Sequence, residues 1–293
     1  MPGVSGSQQS RVPLAQGQWG RRSKRILKHA LNRQDAKIAK GFITGPQERR
    51  PMDVLAIGAH PDDCELFMGG TLAKLSDLGH EVAIADLSRG ECASRGTAEI
   101  RAREAEQASK ILGLAKRICL DLGDTRIGLD AEHRVKVVNL LRAERPFLVF
   151  THSPDERHPD HGHANRLVRE ACFFAYVGGV DTGRGRFDPA TLIEFIGDTL
   201  AAPPSPSFVV PIGETFSRKM ESLRAYESQF HNPDFIGPDT WHSSKGYFEQ
   251  IEARARYWGS LIGENFGEGF CYRGTLAIGD PVAFFRNARA KGG

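Results

Sequence analysis

The fold class this sequence predicts is α/β, with a mostly parallel sheet covered on both faces, and three features predict it. From Met52 onward, short apolar runs alternate with amphipathic stretches of helical length, the pattern of strands joined by crossover helices. Two His/Asp-rich motifs, Ala59-His60-Pro61-Asp62-Asp63-Cys64-Glu65 and Arg157-His158-Pro159-Asp160-His161, stand directly after two of those runs. In open parallel sheets, ligands sit beyond the carboxyl ends of the strands. The alternation then breaks at a Gly- and Pro-rich stretch, Thr182 to Pro206, as it would where an extension is added to a sheet.

Taken in order, the first strand is expected over 53–58, the run Asp53-Val54-Leu55-Ala56-Ile57-Gly58. An amphipathic helix follows over 64–78, with Gly69-Gly70 about a turn inside it, where small residues permit close packing. Strands over 81–87, 116–120 and 146–151 alternate with helices over 97–112, 130–143 and 161–175. The long Gly/Pro loop holds one strand over 191–197. A strand over 207–212, a helix over 214–228, a loop around Asn232-Pro233-Asp234, a helix over 245–262 and a last strand over 274–279 complete the chain. The whole reads as a Rossmann-like three-layer sandwich whose C-terminal extension walls the active-site cleft. No internal repeat is evident.

Composition narrows the class. The chain has 293 residues and is 40% hydrophobic, enough for a full core, and has no apolar run long enough to span a membrane. The N-terminus lacks the continuous apolar stretch of a secretory signal. Five scattered cysteines with no CxxC pair read as reduced thiols in a cytoplasmic protein. The net charge of +3 hides an asymmetry: residues 1–50 carry eleven Lys/Arg against two acids, so the remaining chain is net acidic. An acidic body does not describe a nucleic-acid groove, and no membrane partner is expected. Residues 1–51 read as a basic, disordered extension, with a thinly apolar basic helix over 21–40, and residues 52–290 as the catalytic domain. Such an arm is solvated, or binds a nucleic acid or another partner. Met52, directly before the first strand, stands as an alternative start.

The two motifs carry an inventory for metal-assisted hydrolysis: about three N/O ligands, one open position for water, and a base and an acid nearby. Asp62 and Asp63 are adjacent, so in extended backbone they point apart; one can bind a metal while the other faces a water. Pro61 stiffens the turn. His158 and His161 are three apart at a helix start, and Asp160 between them can hydrogen-bond an imidazole and fix its tautomer. His152 and His163 bring the histidines of this segment to four. Each motif alone has an ordinary reading, an N-capping Asp in a strand-to-helix turn or a solvated His-rich turn.

Together with Gly69-Gly70-Thr71 and Arg89-Gly90-Glu91, the motifs Gly58-Ala59-His60-Pro61-Asp62-Asp63-Cys64-Glu65 and His158-Pro159-Asp160-His161 resemble the LmbE / PIG-L family of zinc N-acetylglucosamine deacetylases, from about Met52 to Asp280. Gly96-Thr97-Ala98-Glu99-Ile100-Arg101, Ser207-Phe208-Val209-Val210, Tyr226-Glu227-Ser228-Gln229-Phe230 and Gly267-Glu268-Gly269-Phe270 are most similar to the bacillithiol-biosynthesis deacetylases. The basic arm has no counterpart there.

The resemblance implies one zinc per subunit held by His60, Asp63 and His161. It implies Asp62 as general base, a protonated His158 as acid or oxyanion stabiliser, and Asp160 orienting His158. Arg101 and Arg157 match family arginines that reach the sugar, and two arginines suit a carboxylated substrate such as N-acetylglucosaminyl-malate. Bare charge pairing is the other reading: Arg101 with Glu99 or Glu104, Arg157 with Asp155 or Glu156. Iron(II) or cobalt(II) also fits a His₂Asp set. Relatives are hexamers, so a homo-oligomer is expected. Glu65 either caps the first helix or supports a ligand. Other N-acyl amino sugars and thiol S-conjugates are alternative substrates. A non-catalytic sugar-binding module and a protein acting through its basic arm on nucleic acid or a membrane surface are the readings from other classes.

Overall fold

Val54–Gly58 reads VLAIG and all five residues are buried, as a run apolar on both faces must be inside a covered sheet. This strand, β1, opens the computed structural model, which describes residues 52–189, 191–198 and 203–288. After it come α1 (Asp63–Asp77), β2 (Val82–Asp86), α2 (Ala98–Leu112), β3 (Lys116–Cys119), α3 (Ala131–Glu144), β4 (Leu148–His152), α4 (Pro159–Tyr176) and β5 (Thr191–Phe195). Then follow β6 (Phe208–Pro211), α5 (Phe216–Arg224), α6 (Tyr247–Ser260), β7 (Gly267–Tyr272) and α7 (Pro281–Ala288). The extension expected over 1–51 lies outside the described residues. No helix among them is long and apolar enough to cross a membrane.

One seven-stranded sheet runs β3-β2-β1-β4-β5-β7-β6. The first five strands of that order are mutually parallel, and β7 joins antiparallel to both β5 and β6. Two hydrophobic layers sandwich it. Val54 and Ala56 of β1 face one, with Leu66, Phe67 and Leu72 of α1 and Leu112 of α2. Leu55 and Ile57 face the other, with Val137 and Leu141 of α3 and Leu167 and Val168 of α4. The period-2 alternation of a strand thus assigns each helix pair to its own side.

Local chemistry ends the helices where the sequence permits. Thr97 accepts from Ile100 N–H at the start of α2, and Gly113 closes it at φ 76°, a left-handed turn that glycine adopts without strain. Asp130 caps α3, and Pro159 occupies the first turn of α4, where its missing N–H costs nothing.

The topology positions the site. From β1 the chain winds outward to β2 and β3, then returns so that β4 pairs with the other side of β1. The strand order reverses between β1 and β4, the switch point at which open α/β sheets hold ligands. His60 follows β1 and His158 follows β4, so residues far apart in the chain come together at neighbouring strand ends.

The extension departs from expectation in three places. No strand forms over 274–279. β7 lies at 267–272 instead, because its glycines allow close packing: a Cβ on Gly269 would stand 3.0 Å from the Trp258 indole and one on Gly267 2.6 Å from Val209. Leu276 and Ile278, which suggested the strand, are 59% and 37% exposed and have no core to join. The helix expected over 214–228 stops at Arg224, because Ser228 is pulled onto Glu104 through both its N–H and its hydroxyl, at 2.7 Å each. The short helix α7 was not anticipated.

Candidate active site

Asp62 is a non-glycine residue at φ 107°, the residue before α1, and its side chain makes no capping bond. Backbone held in that region costs energy and is kept where surrounding contacts over-determine it. Here they are specific: Arg101, from α2, donates from Nη2 to Asp62 Oδ2 at 2.7 Å and to Pro61 O at 2.7 Å, with Nε also on Pro61 O at 3.1 Å. The turn therefore presents Asp62 and Asp63 in different directions, as adjacency predicted. Asp63 turns inward: its Oδ2 accepts from His60 N–H at 2.7 Å.

Asp63 is the hub. His161 Nε2 lies 3.2 Å from Asp63 Oδ1, and His60 Nδ1 lies 3.4 Å from Oδ2. Ligand atoms of His60, His158 and His161 lie within 4.8 Å of one another, as do those of Asp63, His152 and His161. Each of the two imidazoles is also held from behind. Glu156 Oε2 stands 2.7 Å from His161 Nδ1, while Asp124 Oδ1 and Asp160 Oδ2 stand 3.2 and 3.4 Å from His60 Nε2. A carboxylate behind each ring fixes its tautomer and raises its basicity, the arrangement that supports metal-bound histidines.

The electrostatics agree with that geometry. Burial opposes ionisation of Asp63, but His161 and His152 outweigh it and hold the carboxyl well below its usual range. Burial works against a charged His161 too, yet the Asp63 and Glu156 carboxylates push it up to about 9. His60 is raised, against burial, by Asp124, Asp160 and Asp63. Such a pocket of mixed N/O donors could hold a divalent cation: the donor trios among the described residues are His60/His158/His161, Asp63/His152/His161 and His60/Asp124/Asp160, and His60 and His161 both lie against Asp63.

Asp62 behaves differently. Burial pushes its carboxyl up to about 7, with Asp63 adding to the effect and Arg101 opposing it. Two adjacent aspartates are thus driven apart, one firmly ionised and one able to take and return a proton near neutrality.

His158 stands beside these groups. It is the residue preceding α4, and its Nδ1 accepts the Asp160 N–H at 3.2 Å. Its proton is therefore on Nε2. Burial lowers its pKa to about 4, with His60 and His161 contributing. The role expected for Asp160 changes. Its carboxylate takes the Thr125 N–H at 2.8 Å and faces His60, so it orients His60 and touches His158 only through its backbone.

The arginines divide. Arg101 is buried and spent on the Asp62 turn, forming no bridge to Glu99 or Glu104. Arg157 is exposed at the lip of the cleft, its guanidinium 4.3 Å from the Trp241 ring centroid. The cleft, of about 260 Å³, is closed on its far side by Gln229, Thr240 and His242 from the extension, which does wall the site. A larger groove of about 470 Å³ runs along α2 and β3. Alanines, Leu114 and Ile118 line it together with Glu106, Lys110, Lys116 and Cys119, and its Arg117 and Asp86 are bonded to each other.

Several functional neighbours escaped the sequence reading. His152, noted only as complicating a count, is fully buried, stacks on His161 at 4.0 Å and accepts the Ala59 N–H. Glu156 entered the sequence reading only as a charge partner for Arg157, and Asp124 did not enter it. Asp124 had a signal: it lies beyond the carboxyl end of β3, where the rule applied to β1 and β4 holds equally. His163 is exposed and outside the cluster. Glu65 is no ligand; its Oε1 takes Arg117 and the Tyr226 hydroxyl. The five cysteines are all free thiols.

The chain is similar to known proteins. The PIG-L family, described as GlcNAc-PI de-N-acetylase, matches residues 55–172. The diacetylchitobiose deacetylase of Thermococcus kodakarensis is 33% identical over 228 residues, covering 74% of this chain and 81% of the relative. A conserved protein of Thermus thermophilus superposes with a TM-score of 0.69 at 36% identity, covering 78% of this chain and 98% of that one. The N,N'-diacetylchitobiose deacetylase of Pyrococcus horikoshii, solved with an inhibitor, superposes with a TM-score of 0.65 at 26% identity, covering 82% and 92%.

Proposed function

The chain belongs to the PIG-L family of deacetylases acting on N-acetylglucosamine-type substrates, and on that premise we propose that it is a zinc-dependent hydrolase releasing acetate from an N-acetylglucosaminyl conjugate. The observation that carries the reading is that His60 and His161 both lie against the Asp63 carboxylate, at 3.4 and 3.2 Å, with a separately tuned carboxylate, Asp62, on the same turn. A divalent cation held there supplies Lewis acidity to a water and to the amide carbonyl. Iron(II) or cobalt(II) would serve the same donors.

The residues do the rest. Asp62, with Oδ2 held by Arg101, accepts the proton of the attacking water. His158 donates its Nε2–H to the carbonyl oxygen as negative charge develops there, an interaction stronger in the transition state than in the ground state. The proton on Asp62 then passes to the leaving nitrogen. Asp160 and Asp124 hold His60, and Glu156 holds His161, throughout.

For the aglycone, Arg157 is the exposed cation at the lip for a carboxylated group such as malate, while Arg95 and Arg101 line the same cleft from buried positions. The likeness to diacetylchitobiose deacetylases supports a second reading, in which another N-acetylglucosamine occupies that place. Acetate release from N-acetylglucosaminyl-malate, N,N'-diacetylchitobiose and free N-acetylglucosamine, compared side by side, separates them. Preference for the malate conjugate that Arg157→Ala removes supports the first. Preference for the disaccharide supports the second. Turnover of none sinks the amino-sugar reading.

A further inference from the structure

The walls of the cleft are polar except for Ala93, on the loop after β2, and two residues of α1, Leu66 and Phe67. These two follow Asp63 by three and four residues, so they lie one helical turn beyond it. Phe67 sets its ring against His161 and His152, with centroids 6.3 Å away from each, and stacks on Phe195 at 5.9 Å. Apolar surface therefore meets the metal-holding groups on one side only.

That surface is unusually fixed. α1 is broken at Met68, whose φ of −144° and ψ of 18° are not helical. A break of this kind strips backbone groups of their partners, and a buried ion pair fills it. Lys219 Nζ donates to Leu66 O at 2.8 Å, and Glu268 accepts from Gly70 N–H at 3.1 Å and Thr71 N–H at 2.7 Å. Lys219 and Glu268 pair with each other at 2.5 Å, both nearly inaccessible. Thr215 donates to Gly70 O at 2.7 Å, and a Cβ on Gly70 would stand 2.7 Å from Ile212. The segment carrying Leu66 and Phe67 is clamped from behind and cannot retreat.

We propose that Leu66 and Phe67 form the acyl-recognising wall of this enzyme, and that the Lys219–Glu268 clamp makes it rigid enough to restrict the leaving acyl group to acetyl. The inference rests on the N-deacylase reading and deepens it. The sugar is large and hydroxylated, so it extends toward the polar rim at Arg157 and Thr240. The substituent on the other side of the carbonyl then points at α1, where a methyl finds apolar contact and a longer chain finds a wall. Leu66 and Phe67 are specificity residues; Lys219 and Glu268 position them.

The test is a series of N-formyl, N-acetyl, N-propionyl and N-butyryl derivatives of whichever amino-sugar conjugate the enzyme turns over. Each methylene rejected by a rigid apolar pocket is worth about 10–200-fold, so wild-type kcat/KM for acetyl should exceed that for butyryl by roughly a hundredfold or more. Leu66→Ala should reduce that ratio at least about tenfold, with metal content unchanged. Leu66→Val, a milder truncation, covers the case in which the alanine variant fails to fold. A readout independent of turnover is product binding: calorimetry should show acetate bound more tightly than butyrate by wild type, with the gap narrowed in the variants. Equal turnover of butyryl and acetyl by wild type, or a ratio unmoved in both variants, overturns the wall while leaving the deacylase reading intact. Hydrolysis of no N-acyl sugar by wild type overturns both.

Discussion

Arg101 Nη2 lies 2.7 Å from Asp62 Oδ2, and both residues are buried. A cation carried on α2 therefore reaches the loop after β1, where it also binds the carbonyl of Pro61 and holds a left-handed backbone turn. The contact occupies one oxygen of the carboxylate and leaves Oδ1 with no hydrogen-bond partner among the described residues. It also opposes the burial that raises the Asp62 pKa. The same arginine thus shapes the turn, aims the carboxylate and tunes its basicity.

Asp62→Asn should keep the fold and the metal but lose most turnover. A positioned general base contributes about 10²–10⁴-fold, so kcat should fall by roughly a thousandfold, with little change in bound metal by elemental analysis. Full activity in this variant removes Asp62 from the reaction.

The pH dependence follows in sign. Asp62 acts as its ionised form, and burial pushes its pKa up to about 7, so kcat should rise with pH along an acid limb. Arg101 already opposes that rise, and a cation beside Asp63 favours the carboxylate as well, which puts the midpoint no higher than about 7. Arg101→Gln takes away one of those positive charges, so its limb should move to higher pH. A pH–rate profile of both proteins checks the direction, and a limb that shifts downward contradicts it.

Glu156→Gln tests the support behind the metal. Glu156 Oε2 lies 2.7 Å from His161 Nδ1 and 3.2 Å from His152 Nδ1, and its carboxyl is held down at about 2, against burial, by those two histidines. Loss of such a partner typically weakens metal affinity by about 10–100-fold. Competition with a chromogenic chelator measures it, and unchanged affinity places Glu156 outside the site.

Lys219→Met leaves Glu268 as an unpaired charge in the interior. Breaking one side of a buried pair costs about 3–5 kcal/mol, whereas Lys219→Met with Glu268→Gln removes both charges and should recover part of that loss. Denaturant unfolding of the two variants gives the comparison. Equal destabilisation of both would mean that the packing of Lys219, not the pairing, holds the break in α1.

Most of the sheet and its four flanking helices were readable because their signals are strong: continuous apolar runs such as Val54–Ile57 and amphipathic segments of three turns or more. The meeting of the two motifs was readable from topology, since both follow strands that pair at the switch point. What was hidden depends on tertiary contact. β7 is a strand because Trp258 and Val209 leave room only for glycine beside them, and α5 ends early because Glu104 captures Ser228. At the site, the resemblance named His60, Asp63 and His161, which the fold does bring together, but the contacts of neighbouring side chains were not legible. His158 Nδ1 takes the Asp160 N–H, and Asp160 turns its carboxylate to His60. A residue's type is written in the sequence, while the neighbour it faces is set by the fold.

The most direct test is acetate release from an N-acetylglucosaminyl substrate by native protein, by protein stripped with a chelator, and by stripped protein given back one equivalent of zinc. The account predicts turnover that disappears on stripping, returns with zinc in wild type, and does not return in Asp62→Asn although that variant binds the metal. Turnover that survives complete removal of metal, or that zinc restores equally in Asp62→Asn, would contradict it.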